Sequence, residues 1–276
     1  MMQSVHFTKM SGAGNDFILI DNRYHRYQFN SSTVAELCHR HQGIGADGLM
    51  LLESSEFFDF KMVYFNSDGK LGSLCGNGAR CITKFASLCG LSKSAFRFEA
   101  NNETYFSELT PDGEVRLHMR APSDWKFDLS DGLESFSFVN TGSPHVILFR
   151  DSLDTEPVVS IGSRIRHNTT LFPEGTNVNF VSLIDKESLR IRTFERGVEN
   201  ETLACGTGAV ASALMARKLG FVTSNQIRLK VQSGEWLEVT FDNDLSTPTL
   251  KGSAKIVFSG EIPMVIEHNN PQLVNS

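Results

Sequence analysis

The chain has 276 residues, of which 40% are hydrophobic, and its formal net charge is −6. This length is enough for one large hydrophobic core or for two of ordinary size. The sequence contains no block of Lys and Arg, so it lacks the basic surface expected of a nucleic-acid-binding protein. No apolar run approaches the ~18 residues of a membrane span, and the first residues do not form a secretory signal. We therefore expect a cytoplasmic protein that binds a small molecule, with neither nucleic acid nor membrane as a partner.

The cysteines are too few and too widely spaced for a disulfide-stabilised scaffold. Their number is odd, which leaves at least one unpaired in any pairing scheme. We expect all of them to be reduced thiols, and some of them to be reactive: Cys38, Cys75, Cys81, Cys89 and Cys205.

The predicted elements of the first half follow one another as short strands and helices. GNDFILID, from Gly14, is a turn followed by an apolar strand. Thr33-Val-Ala-Glu36 is a capping box that predicts the start of a short helix ending at Gly43. GADGLMLLE, from Gly45, and FKMVYFN, ending at Asn66, then predict two further strands.

The same order of elements recurs about 128 to 130 residues later in the chain. GSPHVILF begins at Gly142, GTNVNFVSLI begins at Gly175, and LRIRTFE ends at Glu195. Such a repeat predicts two copies of one structural unit. We assign residues 1–120 to a first half and 121–262 to a second half, and we expect the tail, 263–276, to pack on the first half. Its last residues, NNPQLVNS, are predicted to be disordered.

The repeat is clearest around two cysteines, in the stretches LCGNGARC (74–81) and ACGTGAVA (204–211). From Cys75 and from Cys205, sixteen residues align without a gap, and six of them are identical. Each cysteine precedes an amphipathic segment that ends on glycine, as an α-helix does. The fold class predicted is α/β, with two pseudo-symmetric, strand-rich halves that each contain a principal helix. Open sheets and barrels closed around the helix both fit this pattern.

A cysteine at the start of a helix is placed for acid/base chemistry. The unpaired backbone N–H groups and the positive end of the helix dipole favour its thiolate, and the neighbouring glycines let an anionic ligand approach those amides. Two such thiols, facing each other across a cleft, could invert a carbon centre by removing a proton from one side and adding one on the other. We therefore select Cys75 and Cys205 as the candidate catalytic pair.

Other interpretations of the cysteines have weaker support in the sequence. Free cysteines are often buried core residues, and Cys38, Cys81 and Cys89 lie on periodic apolar faces that fit this role. Zinc binding is not predicted, because neither Cys75 nor Cys205 has a second ligand at the usual spacing, and no Cys-x-x-Cys motif indicates a redox protein. We expect no metal ion.

At these residues the chain resembles diaminopimelate epimerases, the cofactor-independent amino-acid epimerases of lysine and peptidoglycan-precursor synthesis. The resemblance covers nearly the whole chain and rests on seven short motifs. They are Lys9-Met-x-Gly-x-Gly-Asn15-Asp-Phe, Gly43-Ile-Gly-Ala-Asp-Gly48, Phe65-Asn66-x-Asp-Gly, Cys75-Gly-Asn-Gly-Ala-Arg80, Gly175-Thr-Asn177-Val, Glu195-Arg-Gly197 and Glu201-Thr-x-Ala-Cys205-Gly-Thr-Gly208.

The resemblance implies a fold and a set of site residues. Each half would be a barrel-like, mostly antiparallel sheet around a central helix, with the active site in the cleft between the halves. Cys75 and Cys205 would be the acid/base thiols, and a homodimer is left open. The turns that hold the α-carboxylate and amine would be Gly76-Asn77 and Gly206-Thr207, and the residues around the rest of the substrate would be Asn15, Asn66, Asn177, Glu195 and Arg196.

One position departs from the pattern of the resembling family. Gly142-Ser143-Pro144-His145 carries Ser where the family usually has Asn, and that Asn helps to hold the far end of the substrate. The predicted activity is the interconversion of LL- and meso-diaminopimelate without a cofactor. A racemase of relaxed specificity that also acts on glutamate, and a non-catalytic amino-acid-binding module, are the alternatives.

Overall fold

The computed structural model of the chain describes residues 2–72 and 75–265. Short strands dominate its first part, and two helices interrupt them. In chain order these elements are β1 (Met2–Gly12), β2 (Asn15–Asp21), α1 (Ser31–Cys38), β3 (Gly48–Glu53), β4 (Phe60–Asn66), α2 (Gly76–Leu88), β5 (Ala95–Ala100), β6 (Glu103–Leu109) and β7 (Val115–His118).

The second part repeats this succession from β9 to β16 with one short extra strand, β13, and two further strands, β8 and β17, precede and follow it. In chain order they are β8 (Ser123–Ser130), β9 (Ser135–Asn140), β10 (Pro144–Phe149), α3 (Val158–Arg166), β11 (Asn177–Leu183), β12 (Ser188–Glu195), β13 (Asn200–Thr202), α4 (Gly206–Lys218), β14 (Gln226–Lys230), β15 (Trp236–Thr240), β16 (Thr249–Gly252) and β17 (Lys255–Val265).

Strand pairing confirms the predicted internal repeat. Successive neighbours from β1 to β7 pair antiparallel, parallel, antiparallel, parallel, antiparallel and antiparallel. The strands β9, β10, β11, β12, β14, β15 and β16 pair with the same succession of directions. The sheet of each half is therefore mostly antiparallel, as the resemblance implied. The two sheets join where β7 pairs with β16, with Leu117 opposite Leu250.

Each half has one further strand at the edge of its sheet, and in the first half this strand comes from the end of the described chain. β8 pairs with β9 in the second half, whereas the last strand, β17, runs antiparallel along β1 in the first half, from Ser11 opposite Lys255 to Met2 opposite Val265. The last strand of the described chain therefore belongs to the sheet of the first half. The division near residues 120 and 121 stays a prediction, and residues 266–276 of the predicted tail lie outside the described residues.

The two central helices are surrounded by their sheets. In β2, Phe17 and Leu19 join the core around α2, while Ile18 and Ile20 face the outer cluster that includes α1. This alternation follows from the two-residue period of a strand that is covered on both faces. α4 is buried along most of its length among the strands of the second half, which its many alanines permit. Among the described residues, no helix is long and apolar enough to cross a membrane.

The predicted capping box is wrong in its position. α1 begins at Ser31, and its N-cap is Asn30, whose side chain accepts a hydrogen bond from the Thr33 backbone N–H at 2.9 Å. Asn is among the most favourable N-cap residues, so the helix begins three residues earlier than predicted, with Asn30 rather than Thr33 as its N-cap. The helix also ends earlier than predicted, at Cys38 rather than before Gly43.

Candidate active site

The two selected cysteines occupy equivalent places, at the N-termini of the two central helices. Cys75 is the N-cap of α2 and Cys205 is the N-cap of α4, and neither side chain is used to cap its helix. The first amides of each helix have no partner within the helix, so they remain available to the thiol and to a ligand. The sequence therefore predicted the local position of both thiols.

Two glycines let the N-termini of these helices approach each other. A Cβ added at Gly206 would lie 3.8 Å from the Gly76 Cα and only 2.9 Å from the Leu250 Cδ2. The next glycine of each motif faces its own sheet: a Cβ at Gly78 would lie 2.0 Å from the Met50 side chain. The Cys-Gly-x-Gly pattern is thus required by close packing as well as by access of a ligand to the amides.

A buried polar network supports Cys205 from behind. The Asn179 side chain donates to a backbone carbonyl of β10 and to His145 Nδ1 (3.1 Å), and its oxygen accepts from the Thr193 hydroxyl. His145 Nδ1 is therefore an acceptor, so the ring proton is on Nε2, which donates to the Thr207 Oγ1 (2.9 Å). The hydroxyl proton of Thr207 is left free to point at the Cys205 Sγ, 3.6 Å away.

His145 is held in its neutral form. Burial lowers the pKa of His145 to about 3, and the nearby Arg196 charge acts in the same direction. The orientation of its ring is set by Asn179, a buried polar residue of strand β11. The sequence analysis did not select either residue. An asparagine at an inward position of a buried strand was the available signal, because a buried amide must find partners.

The first half has a different network, built on Asn77. The Asn77 side-chain NH₂ donates to the Asn15 Oδ1 (2.6 Å) and to the Ala204 carbonyl (3.3 Å), and its oxygen accepts from Arg80 (2.9 Å). Asn15 in turn donates to Asp47 at 2.9 Å. The two asparagines that the resemblance placed near the substrate are thus in contact, and Asn77 links the first half to the residue before Cys205.

The residues expected at the far end of the substrate also contact one another. Asn177 donates to Ser143 Oγ and to the Pro144 carbonyl, both at 2.9 Å, and its oxygen accepts from the Arg196 backbone N–H. The Arg196 guanidinium donates to the Glu174 carbonyl at 3.2 Å. Ser143, the residue that departs from the family pattern, therefore uses its hydroxyl to hold Asn177.

Glu195 lies close to both thiols. Burial raises the pKa of its carboxyl, although the Thr202 hydroxyl donates to it at 2.9 Å and acts in the opposite direction. The negative charge of Glu195 in turn raises the pKa of both Cys75 and Cys205. Glu195 thus contributes negative charge to the surroundings of one thiol in each half.

The prediction that a helix N-terminus would favour the thiolates is wrong for the protein without a ligand. Burial is the largest influence and raises the pKa of Cys75, and it raises the pKa of Cys205 to about 12. The backbone N–H groups of Asn77 and Gly78 lower the pKa of Cys75, and that of Gly208 lowers the pKa of Cys205, but they offset only part of the cost. Desolvation exceeds the effect of the helix terminus here.

A cavity of about 390 Å³ opens beside Cys205 and receives residues from both halves. The second part of the chain contributes Asn177, Glu195, Arg196 and Thr207 to its lining, and strands β6 and β7 contribute Glu103 and Leu117. Six of the predicted site residues do not line this cavity: Asn15, Asn66, Cys75, Gly76, Asn77 and Gly206. Asn66 is the one that also has no described contact with the other site residues. It is exposed at the end of β4, where its backbone carbonyl closes the turn to Gly69.

Comparisons with known proteins identify a family for the chain. The family model described as diaminopimelate epimerase matches residues 7–124 and 137–257. A diaminopimelate epimerase of Chlorobaculum tepidum is 51% identical over 257 residues, which cover 92% of this chain and 100% of the relative. One of Flavobacterium psychrophilum is 41% identical, with 92% and 98% covered.

Solved structures of more distant proteins have the same fold. A hydroxyproline epimerase of Agrobacterium vitis superposes with a TM-score of 0.70 at 14% identity, covering 95% of this chain and 92% of that one. A PhzF-family phenazine biosynthesis protein of Bacillus anthracis gives 0.69 at 16% identity, covering 95% and 99%. The family model and the sequence relatives go further than the fold, and the chain belongs to the diaminopimelate epimerase family.

Proposed function

We propose that this chain interconverts LL- and meso-diaminopimelate by a two-base proton transfer between Cys75 and Cys205. The observation that carries the proposal is the equivalent placement of these two free thiols, each at the N-terminus of a central helix, in two halves that meet at Gly76 and Gly206. A single base would return the proton to the face from which it came. Two thiols on opposite faces invert the carbon.

The reacting carboxylate would be bound by the amides of both helices. Removal of the α-proton places negative charge on the carboxylate, so aimed N–H groups in a water-poor site stabilise that charge where it develops. The amides that follow Cys75 and Cys205 are the donors in this arrangement: those of Gly76-Asn77 and Gly206-Thr207. One thiolate takes the α-proton, and the opposite thiol then supplies its proton to the other face of the carbon.

The raised thiol pKa values make the substrate's own charge part of the reaction. Without a ligand, burial and Glu195 favour neutral thiols at both positions. A bound α-ammonium group would supply a positive charge near both sulphurs, which favours a thiolate. Proton transfer would thus be confined to the complex, where water is excluded.

The far end of diaminopimelate is a second zwitterion, for which the cleft has charges of both signs. Glu195 can accept from an ammonium group, and the Arg196 guanidinium can bind a carboxylate in a forked geometry. Both residues line the cavity beside Cys205. Asn177 would act indirectly, because its amide is already used by Ser143 and by the Arg196 backbone.

Family membership favours this reaction over the two alternatives, a glutamate-directed racemase and a binding module. The free thiols fit a reducing compartment, so we place the enzyme in the cytoplasm. A small-molecule amino acid is the proposed ligand, and a homodimer remains a prediction.

The test is proton exchange with the solvent. Wild-type protein in deuterated water should incorporate deuterium at the α-carbon of LL-diaminopimelate and form the meso isomer. Cys75→Ser and Cys205→Ser should each lower turnover by at least about a hundredfold, in the range that general acid–base catalysis contributes. Cys89→Ser, at the opposite end of α2, is the matched control and should retain wild-type turnover. Wild-type turnover in either of the first two variants would refute the proposal.

A further inference from the structure

Arg80 is a fully buried arginine whose guanidinium donates to neutral oxygen atoms. It lies on α2, five residues after Cys75, and its side chain is 0% exposed. Its guanidinium donates to the Asn77 Oδ1 (2.9 Å), to the Gly76 carbonyl (3.3 Å) and to the Ser253 carbonyl (3.5 Å). Within the described part of the chain, no carboxylate oxygen lies within 4.0 Å of it. A buried charge in this situation is costly, so its retention needs an explanation.

The two carboxylates that influence the pKa of Arg80 are paired with other cations. Glu235 accepts from Lys255 at 3.0 Å, and Glu114 forms an ion pair with Lys251 at 3.4 Å. Both carboxylates influence the pKa of Arg80 less than the two thiols of its own helix do, Cys81 and Cys75. Cys81 is completely enclosed in the apolar core, and burial raises its pKa to about 12.

The equivalent position in the second half has no charge. Five residues after Cys205 stands Val210, which is fully buried in the core of that half. The basic residues of α4 are confined to its last turn, at the far end from Cys205. The polar side chains that support Cys205 are neutral: Thr207 and the buried His145. The two thiols therefore differ in one respect: only Cys75 has a buried cation on its helix.

We propose that Arg80 is a positioning residue that makes the pair unequal, so that the thiol of Cys75 gives up its proton more readily than the thiol of Cys205. This inference deepens the proposed function and rests on it. Arg80 holds both residues that follow Cys75, and its positive charge opposes the negative charge of Glu195 at that thiol. The other ionisable groups that influence or respond to Cys75 are Cys81, Cys205 and Tyr64.

Alkylation by iodoacetamide, a neutral reagent, tests the proposal without substrate or turnover. The thiolate is the reacting form, so the rate at each cysteine follows its thiolate fraction. Peptides containing Cys75 and Cys205 would be quantified by mass spectrometry after timed reaction between pH 6 and 10. In the wild type, Cys75 should react at least about tenfold faster than Cys205 near neutral pH, because an opposite charge nearby shifts a pKa by about one unit or more.

Variants separate charge from packing. Arg80→Met should slow alkylation of Cys75 by about tenfold and shift its rate–pH profile to higher pH, because a nearby positive charge is lost. Arg80→Lys should restore part of the rate. Thr83→Val is the structural control on the same helix: it removes a buried hydrogen bond to Ser107 of β6 and should leave the Cys75 profile unchanged.

A thermal unfolding measurement accompanies each variant. Replacing a buried, unpaired cation by an apolar side chain of similar length is often neutral or stabilising, so a folded Arg80→Met protein is expected. If it is folded and its Cys75 profile equals that of the wild type, the proposal is overturned. If Arg80→Met does not fold, the ratio of the alkylation rates of Cys75 and Cys205 in the wild type is the test. Faster alkylation of Cys205 than of Cys75 also overturns the proposal. A fast Cys75 in a protein without epimerase activity would refute the proposed function and leave the role of Arg80 intact.

Discussion

Acidification should destabilise the fold through His145, whose ring is buried and neutral. The pKa of His145 is lowered to about 3 in the folded protein, against about 6.5 in an unfolded chain. Below pH ~6.5 the unfolded chain therefore binds a proton that the folded chain does not bind, and stability falls as the pH falls toward 3. At pH ~4.5 the difference spans about two pKa units, which corresponds to about 2.5 kcal/mol of lost stability.

Urea unfolding at pH 7 and at pH 4.5 measures this loss. His145→Gln keeps a donor for Thr207 but cannot be protonated, while the other acid-sensitive groups are the same in both proteins. The wild type should lose about 2.5 kcal/mol more than the variant between the two pH values. His41→Gln, which changes an exposed histidine, should behave like the wild type. An equal loss in the wild type and in His145→Gln would refute the reasoning.

Three further outcomes follow from the site. Gly206→Ala should cost about 1–3 kcal/mol of stability, because its Cβ would lie 2.9 Å from the Leu250 Cδ2, whereas Gly76→Ala, with 3.7 Å to the same atom, should be nearly neutral; denaturant midpoints decide this. Thr202→Val should raise KM for diaminopimelate about fivefold through the lost hydrogen bond to Glu195, as initial rates would show. Because burial raises the pKa of both thiols above an ordinary 9.0, kcat/KM should still be increasing above pH 8, and a plateau below that pH would contradict the assignment.

Local patterns predicted the positions of the cysteines, because the signals for them are contiguous in the chain. The glycines, the polar loop and the amphipathic segment around Cys75 and Cys205 specify a helix start within a few residues. The repeat then predicted that the two sites are equivalent. The pairing of β17 with β1 joins residues about 250 positions apart, and no local pattern in either strand specifies its partner.

The ionisation of the site could not be predicted from motifs. Two effects on the thiol pKa oppose each other, and the sequence predicts only the first, which is stabilisation of the thiolate by a helix N-terminus. The opposing cost depends on how completely the surrounding elements exclude water, which is a property of the assembled halves. At Cys205 that cost dominates. The role of Arg80 could not be predicted for the same reason. The stretch LCGNGARC shows that it is charged, but only the structure shows that it is completely buried.

The halves diverge where the chemistry of their thiols can differ. The inward positions behind Cys205 hold Asn179 paired with Thr193, whereas the first half pairs Met50 with Tyr64 at the corresponding register of β3 and β4. A strict two-fold enzyme would suit two mirror-image substrates of equal energy. LL- and meso-diaminopimelate are diastereomers, which present different far ends to the cleft when the reacting carbon is inverted. Unequal surroundings for the two thiols are therefore compatible with reversible epimerisation, since each thiol meets a chemically distinct complex.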